Sequence, residues 1–194
     1  MKRRSVRRLA ALLCLSLSSS VAAVEIQGVK FDDRVQVENT TLVVNGVGLF
    51  RYKIVFKVYL GALYLGESVK SQQILQDVPK RFEVHYLRSF RGPEFGEAGT
   101  EVLAENVSPE VMEKIRERLE RMNSFYEDTK PGDRSALTYI PGRGTELSIN
   151  GRSKGWVEGA DFQAAYFQIW FGAKPLSESF KQQLLTPVDP KIRD

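Results

Sequence analysis

The chain is 194 residues long, with 28 Lys and Arg against 24 Asp and Glu, a single histidine and a single cysteine. That inventory excludes a His-rich metal site, a two-histidine mechanism and a zinc–thiolate cluster. The formal charge of +4 belongs to the first 23 residues, which hold five of the basic residues and no acid; beyond them 23 bases face 24 acids, a net of −1, and the general argument for nucleic acid as a partner disappears.

Residues 1–23 read as a leader. MKRRSVRR is a basic start, LAALLCLSL a short apolar run, and SSSVAA supplies small residues before an expected cut after Ala23. This is the pattern of a secretory signal peptide. The apolar run is too short to span a bilayer. Leu13 stands before Cys14, where a lipoprotein signal wants a small residue, so no lipid anchor is expected. The expected mature chain, 24–194, is about 171 residues (194 − 23), the size of one domain with a real core. It keeps no cysteine, hence no disulfide and no thiolate nucleophile. A disulfide-free domain behind a Sec-type leader points to a bacterial periplasm, with no stable membrane insertion after cleavage, and to a monomer.

Alternating apolar and polar residues over 24–48, broken by Asp32-Asp33 and Asn39-Thr40-Thr41, predict two or three short strands. Residues 49–65 predict one long strand, bent or bulged near Gly61. A short helix or loop over 68–80 and a strand over 81–90 follow. Helices are expected over 93–107 and from Pro109 onward, the latter capped by Ser108 and carrying an apolar stripe of Val111, Ile115, Leu119 and Met122. Strands near 136–140, 145–149 and 152–157 follow, the last two joined by an Asn150-Gly151 hairpin. A helix over 161–172 capped by Asp161, a helix over 176–185 and a loose, Pro-broken tail complete the chain. Strands, helices, hairpins and helices in that order suit an α+β fold: a mostly antiparallel sheet with helices packed on one face.

The stretch GLFRYKIVFKVYLGALYL, 48–65, poses the functional question. On an unbroken strand Phe50, Tyr52, Ile54, Phe56 and Val58 share one face, and Arg51, Lys53, Val55, Lys57 and Tyr59 the other. The cations are then solvated edge charges, a membrane-facing stripe or one wall of a ligand cleft. In a cleft, a guanidinium fork and a phenol would hold a carboxylate or enolate oxygen. His85, lacking a second base or cysteine partner, reads as a surface or hydrogen-bonded residue rather than a catalyst. Trp170, in the stripe AAYFQIWFG, is core or cleft roof.

Three segments together, GVGLFRYKIVFKVYLGALYL, RFEVHYLRS and LTYIPGRGTELSINGRSKGWVEGADFQAAYFQIWFG, resemble the bacterial branch of the chalcone isomerase-like family over roughly 40–186. The resemblance implies an open-faced β-sandwich: a large curved antiparallel sheet backed by helices, with a cleft between them. Family members either cyclise chalcones or bind fatty acids without catalysis, and an arginine early in the long strand reaches the ligand oxygen. Arg51 matches that arginine by its place before FKVY, although its spacing to that motif is shorter than in the plant enzymes. The next site position, threonine in the plant isomerases and tyrosine in the fatty-acid binders, is matched by Tyr59. Strand pattern offers Tyr86 and Tyr139 for the remaining polar groups. The expected ligand-binding set is therefore Arg51, Tyr59, Tyr86 and Tyr139, with no catalytic residue, no metal and no cofactor. The expected function is an exported binding protein for a fatty acid or similar amphipathic carboxylate. The alternatives are an intramolecular lyase or isomerase of the chalcone isomerase type, and an envelope scaffold with a vestigial cleft.

Overall fold

The computed structural model describes residues 23–53 and 55–189. The leader read in residues 1–23 falls outside them save for Ala23. Among the described residues, nine strands run β1 Ala23–Ile26, β2 Val29–Asp32, β3 Arg34–Val37, β4 Thr40–Tyr52, β5 Phe56–Gly66, β6 Lys80–Tyr86, β7 Arg134–Ile140, β8 Gly144–Ile149 and β9 Arg152–Val157. Five helices accompany them: α1 Gly92–Asn106 and α2 Pro109–Asn123 between β6 and β7, then α3 Ala160–Tyr166, α4 Gln168–Phe171 and α5 Glu178–Leu185. Strands β3 to β9 form one antiparallel sheet in sequential order. Each strand pairs with its neighbour in sequence; the connections are short except for the 67–79 segment between β5 and β6 and the helical crossing from β6 to β7. The α+β class read from the sequence holds.

The caps follow the sequence where a side chain can reach. Ser108 Oγ accepts from the Val111 N–H (3.4 Å) and Ser177 Oγ from the Phe180 N–H (3.3 Å). Asn150 and Gly151 take φ of +50° and +74°, the paired left-handed conformation of a two-residue hairpin turn. Asp161 does not cap α3. It is drawn instead to α2, where Arg118 donates to both its oxygens (2.8 and 3.0 Å) and Lys114 stands 3.1 Å away. The helix expected over 161–172 is two pieces, broken at Phe167.

Two apolar clusters sandwich the sheet. One lies under α1 to α5 and includes Leu63, Phe82, Leu147, Phe162 and Phe167. The other lies on the opposite face, where the β1–β2 hairpin covers Leu42, Val44, Leu60 and Tyr64 with Val24 and Phe31. The second face is thus partly roofed, not simply wet as the strand alternation of 49–65 allows.

Helix α5 lies close against β4. An extra residue, Asn45, interrupts the β4–β5 register, and its Nδ2 donates to the Leu184 carbonyl (2.8 Å) at the helix end. A Cβ on Gly46 would stand 2.3 Å from that same oxygen, so only glycine fits. The start of the tail is anchored too, not loose: Val188 N–H donates to the Asn45 carbonyl (2.7 Å). Residues 190–194 lie outside the described residues.

Candidate functional site

The long strand expected over 49–65 is a hairpin. The chain turns at Lys53, φ +46°, and Val55 N–H bonds back to the Lys53 carbonyl (2.7 Å). Tyr52 pairs with Phe56 and Arg51 with Lys57, but Phe50 pairs with Tyr59. Val58 is therefore an extra residue on β5, a bulge that shifts the alternation by one. Tyr59 consequently shares a face with Phe50, and Arg51 does not.

On that shared face, between the sheet and the helices, lies a cavity of about 760 Å³. The sheet contributes Phe50, Tyr59, Phe82, Val84, Tyr86 and Leu137; α1, α3 and α4 contribute Phe95, Tyr166, Ile169 and Trp170. At the mouth stand Tyr52 and Phe56 from the hairpin, with Arg88 and Glu94. Apart from phenols, Arg88 and Glu94 are the only ionisable side chains of the lining among the described residues. Arg88 is exposed, its Nε donating to the Lys57 carbonyl (2.9 Å) and its guanidinium 5.2 Å from the Phe56 ring centre. Glu94 is tied to Arg91.

Hydroxyls supply the polar part of the wall. Tyr59 Oη accepts from Trp170 Nε1 (3.2 Å), Tyr86 Oη and Ser135 Oγ are 2.7 Å apart, and the Oη atoms of Tyr126 and Tyr166 are 3.1 Å apart. Each hydroxyl has one proton. Trp170 provides the proton of the first bond, and one hydroxyl provides that of each other bond. Among the described residues, three hydroxyl protons are thus left without a protein acceptor. Burial pushes the pKa of all four phenols well above the ordinary tyrosine value, and the phenols raise one another further: Tyr86 acts on Tyr59, Tyr126 on Tyr86, Tyr166 on Tyr126. At neutral pH they are uncharged donors. The wall is an apolar vessel with a cluster of O–H groups able to receive an oxygen acceptor.

Of the four residues expected to bind ligand, the cavity gathers Tyr59 and Tyr86. Arg51 is exposed on the other side of the hairpin, because the bulge at Val58 separates its parity from that of Tyr59. Tyr139 is buried beyond the cavity lining: its hydroxyl donates to Asp77 and its ring lies under the Lys80 ammonium, 5.0 Å from its centre. Tyr126 and Tyr166 escaped the sequence reading. Tyr126 sits in the connection after α2, and Tyr166 looked like one more apolar-stripe residue. His85 stands away from the cavity, and burial together with Arg134 lowers its pKa, leaving it neutral. Trp170 forms part of the cavity wall.

A family model described as chalcone isomerase-like matches residues 23–186. No curated protein matches the chain in sequence. Among solved structures, the crystal structure of the Arabidopsis thaliana fatty-acid binding protein AtFAP1 is similar, with a TM-score of 0.66 and 14% identity over 84% of this chain and 95% of that one. At that identity the likeness is one of fold, and it agrees with a curved antiparallel sheet backed by helices. With more than half its length matched, the chain belongs to the chalcone isomerase-like family.

Proposed function

We propose that this protein is an exported, non-catalytic carrier of an amphipathic molecule with an oxygen head group, a fatty acid or similar carboxylate. The observation that carries the reading is the cavity: about 760 Å³, within the range of about 300–1,000 Å³ usual for small-molecule sites, apolar inside its mouth except for neutral hydroxyl donors and the Trp170 N–H. The apolar chain would lie against Phe50, Phe82, Leu137 and Ile169. Its head oxygen would accept from Tyr59 and from the Tyr86–Ser135 and Tyr126–Tyr166 pairs. The printed description of AtFAP1 as a fatty-acid binding protein supports the same reading. The leader pattern of residues 1–23 supports an extracytoplasmic setting and the bacterial exported branch of the family. An isomerase is less well supported: the phenols are held protonated, and Glu94, the one carboxylate of the lining, is engaged by Arg91 at the rim, so no base stands ready for proton transfer.

The test is native mass spectrometry of the mature protein with lipid extraction, followed by displacement of dansyl-undecanoic acid. A single bound amphiphile per chain and saturable probe binding are expected. Ala98→Trp places an indole at the cavity from an exposed position of α1 and should abolish both without unfolding the protein. Probe binding that persists in that variant would locate the ligand elsewhere.

A further inference from the structure

The mouth of the cavity is also the most apolar exposed point of the molecule. Tyr52, Val55 and Phe56, all at the β4–β5 hairpin tip, are 55, 72 and 48% exposed. Water-facing aromatic and branched side chains on a hairpin tip are unfavourable for a protein that stays in solution alone. The tip also carries a collar of cations. Arg51 and Lys57 face each other across the hairpin, the Lys53 ammonium stands 5.4 Å from the Tyr52 ring centre, and the Arg88 guanidinium lies over Phe56. Among the described residues none of these four cations forms an ion pair. No Asp or Glu occurs between Glu38 and Glu67 in the sequence, so the hairpin carries no acid of its own.

We propose that this hairpin tip docks on an anionic lipid surface and seats the cavity mouth against it. The fit is one of charge and depth. Side chains such as Tyr52, Val55 and Phe56 partition into the headgroup boundary, while Arg and Lys around them reach back to the phosphates. Three apolar side chains are too small an area for a stable protein interface, but they suffice for reversible membrane contact when cations assist. Tyr52 and Phe56 belong both to the exposed tip and to the cavity wall, so the surface that touches lipid is continuous with the surface that would hold the acyl chain. The proposal extends the carrier reading by naming where the ligand is exchanged, yet docking itself can be measured with an empty cavity.

The experiment is flotation of the mature protein with vesicles of phosphatidylcholine containing about one-third phosphatidylglycerol, beside pure phosphatidylcholine vesicles. The wild type is expected to float with the anionic vesicles only, and added salt should weaken it. Val55→Glu, at a position outside the cavity lining, should weaken association about tenfold or more, as should Arg51→Glu combined with Lys53→Glu. Probe binding in vesicle-free buffer should stay unchanged in all of these variants. Flotation that is absent, that ignores lipid charge, or that survives Val55→Glu would overturn the proposal. So would a wild type that sediments as a dimer and a Val55→Glu variant that sediments as a monomer, since the tip would then be a contact between copies. A protein that floats but binds no probe would overturn the carrier reading and leave the docking surface standing.

Discussion

Phe50 on β4 stands opposite Tyr59 on β5, their ring centres 4.8 Å apart. The pairing exists because Val58 is an extra residue in β5. One inserted residue turns Tyr59 from the face of Arg51 to the face of the cavity, where its hydroxyl meets Trp170. Tyr59 thus joins the apolar wall to the polar cluster.

Two substitutions separate the roles of the family-matched pair. Tyr59→Phe removes an O–H that has no acceptor among the described residues and strands the Trp170 N–H. Affinity for a fatty-acid probe should fall by about 1–2 kcal/mol, roughly five- to thirtyfold. Arg51→Ala, exposed and outside the lining, should change affinity in vesicle-free buffer by less than about twofold. A titration in which Arg51→Ala causes the larger loss would place the head group at the hairpin instead of the hydroxyl cluster.

Gly46 tests how α5 is held. A methyl there meets the Leu184 carbonyl oxygen, a backbone atom that cannot step aside as a side-chain tip would. Gly46→Ala should therefore lift the end of α5 and break the Asn45 contact to it. A loss of about 3 kcal/mol in urea unfolding is expected. A variant as stable as wild type would mean that helix and strand separate without cost.

Much of this was legible in the sequence, and the exceptions share a cause. Periodicity placed α2 and α5, and the Ser108 cap and the Asn150-Gly151 turn fixed the start of α2 and the β8–β9 hairpin, because those signals act within a few residues. The 49–65 segment misled because the sequence around the turn at Lys53 carries none of the Gly, Pro, Asn or Asp that usually marks one. Without that mark the bulge at Val58 is invisible, and every side-chain direction before it inverts relative to those after it. Tyr126 and Tyr166 were missed for a different reason. A tyrosine that packs in a core and a tyrosine that lines a cavity have the same spacing, and only the sheet opposite distinguishes them.

The Asp161–Arg118 contact should give an acid-dependent stability. Arg118 holds the Asp161 carboxyl well below the usual carboxylate range, burial opposes this, and Lys114 adds to it. A depressed folded-state pKa means the contribution is present above the unfolded value, near pH 4, and is lost as pH falls further. The carboxylate is 41% exposed, so solvent screening limits the pair to about 1 kcal/mol. Asp161→Asn should be less stable than wild type by about that much at neutral pH, and the gap should close below about pH 4. A gap independent of pH would assign the loss to packing of α3 on α2 rather than to charge.

Lys80 should give a dependence of the same sign in a neutral-to-alkaline window. It is fully buried at the start of β6. Its ammonium donates to the Gln76 carbonyl (2.7 Å) and to Gln163 Oε1 (2.6 Å), and lies 5.0 and 5.4 Å from the ring centres of Tyr139 and Phe167. Burial lowers its pKa from 10.5 to about 7, with Asp77 pulling the other way. Between those two values the unfolded chain binds more protons than the folded one, so stability rises with pH across that window and is flat below it. Lys80→Met retains much of the side-chain bulk and removes the titration. Urea unfolding at about pH 6.5 and about pH 9.5 should show the stability of wild type, relative to the variant, growing by about 3 kcal/mol. Other groups titrate alike in both proteins and cancel in that difference. If the difference stays constant, the two hydrogen bonds and the two ring faces keep the ammonium charged at no net cost, and Lys80 is a fixed tie between the 74–79 segment and α3.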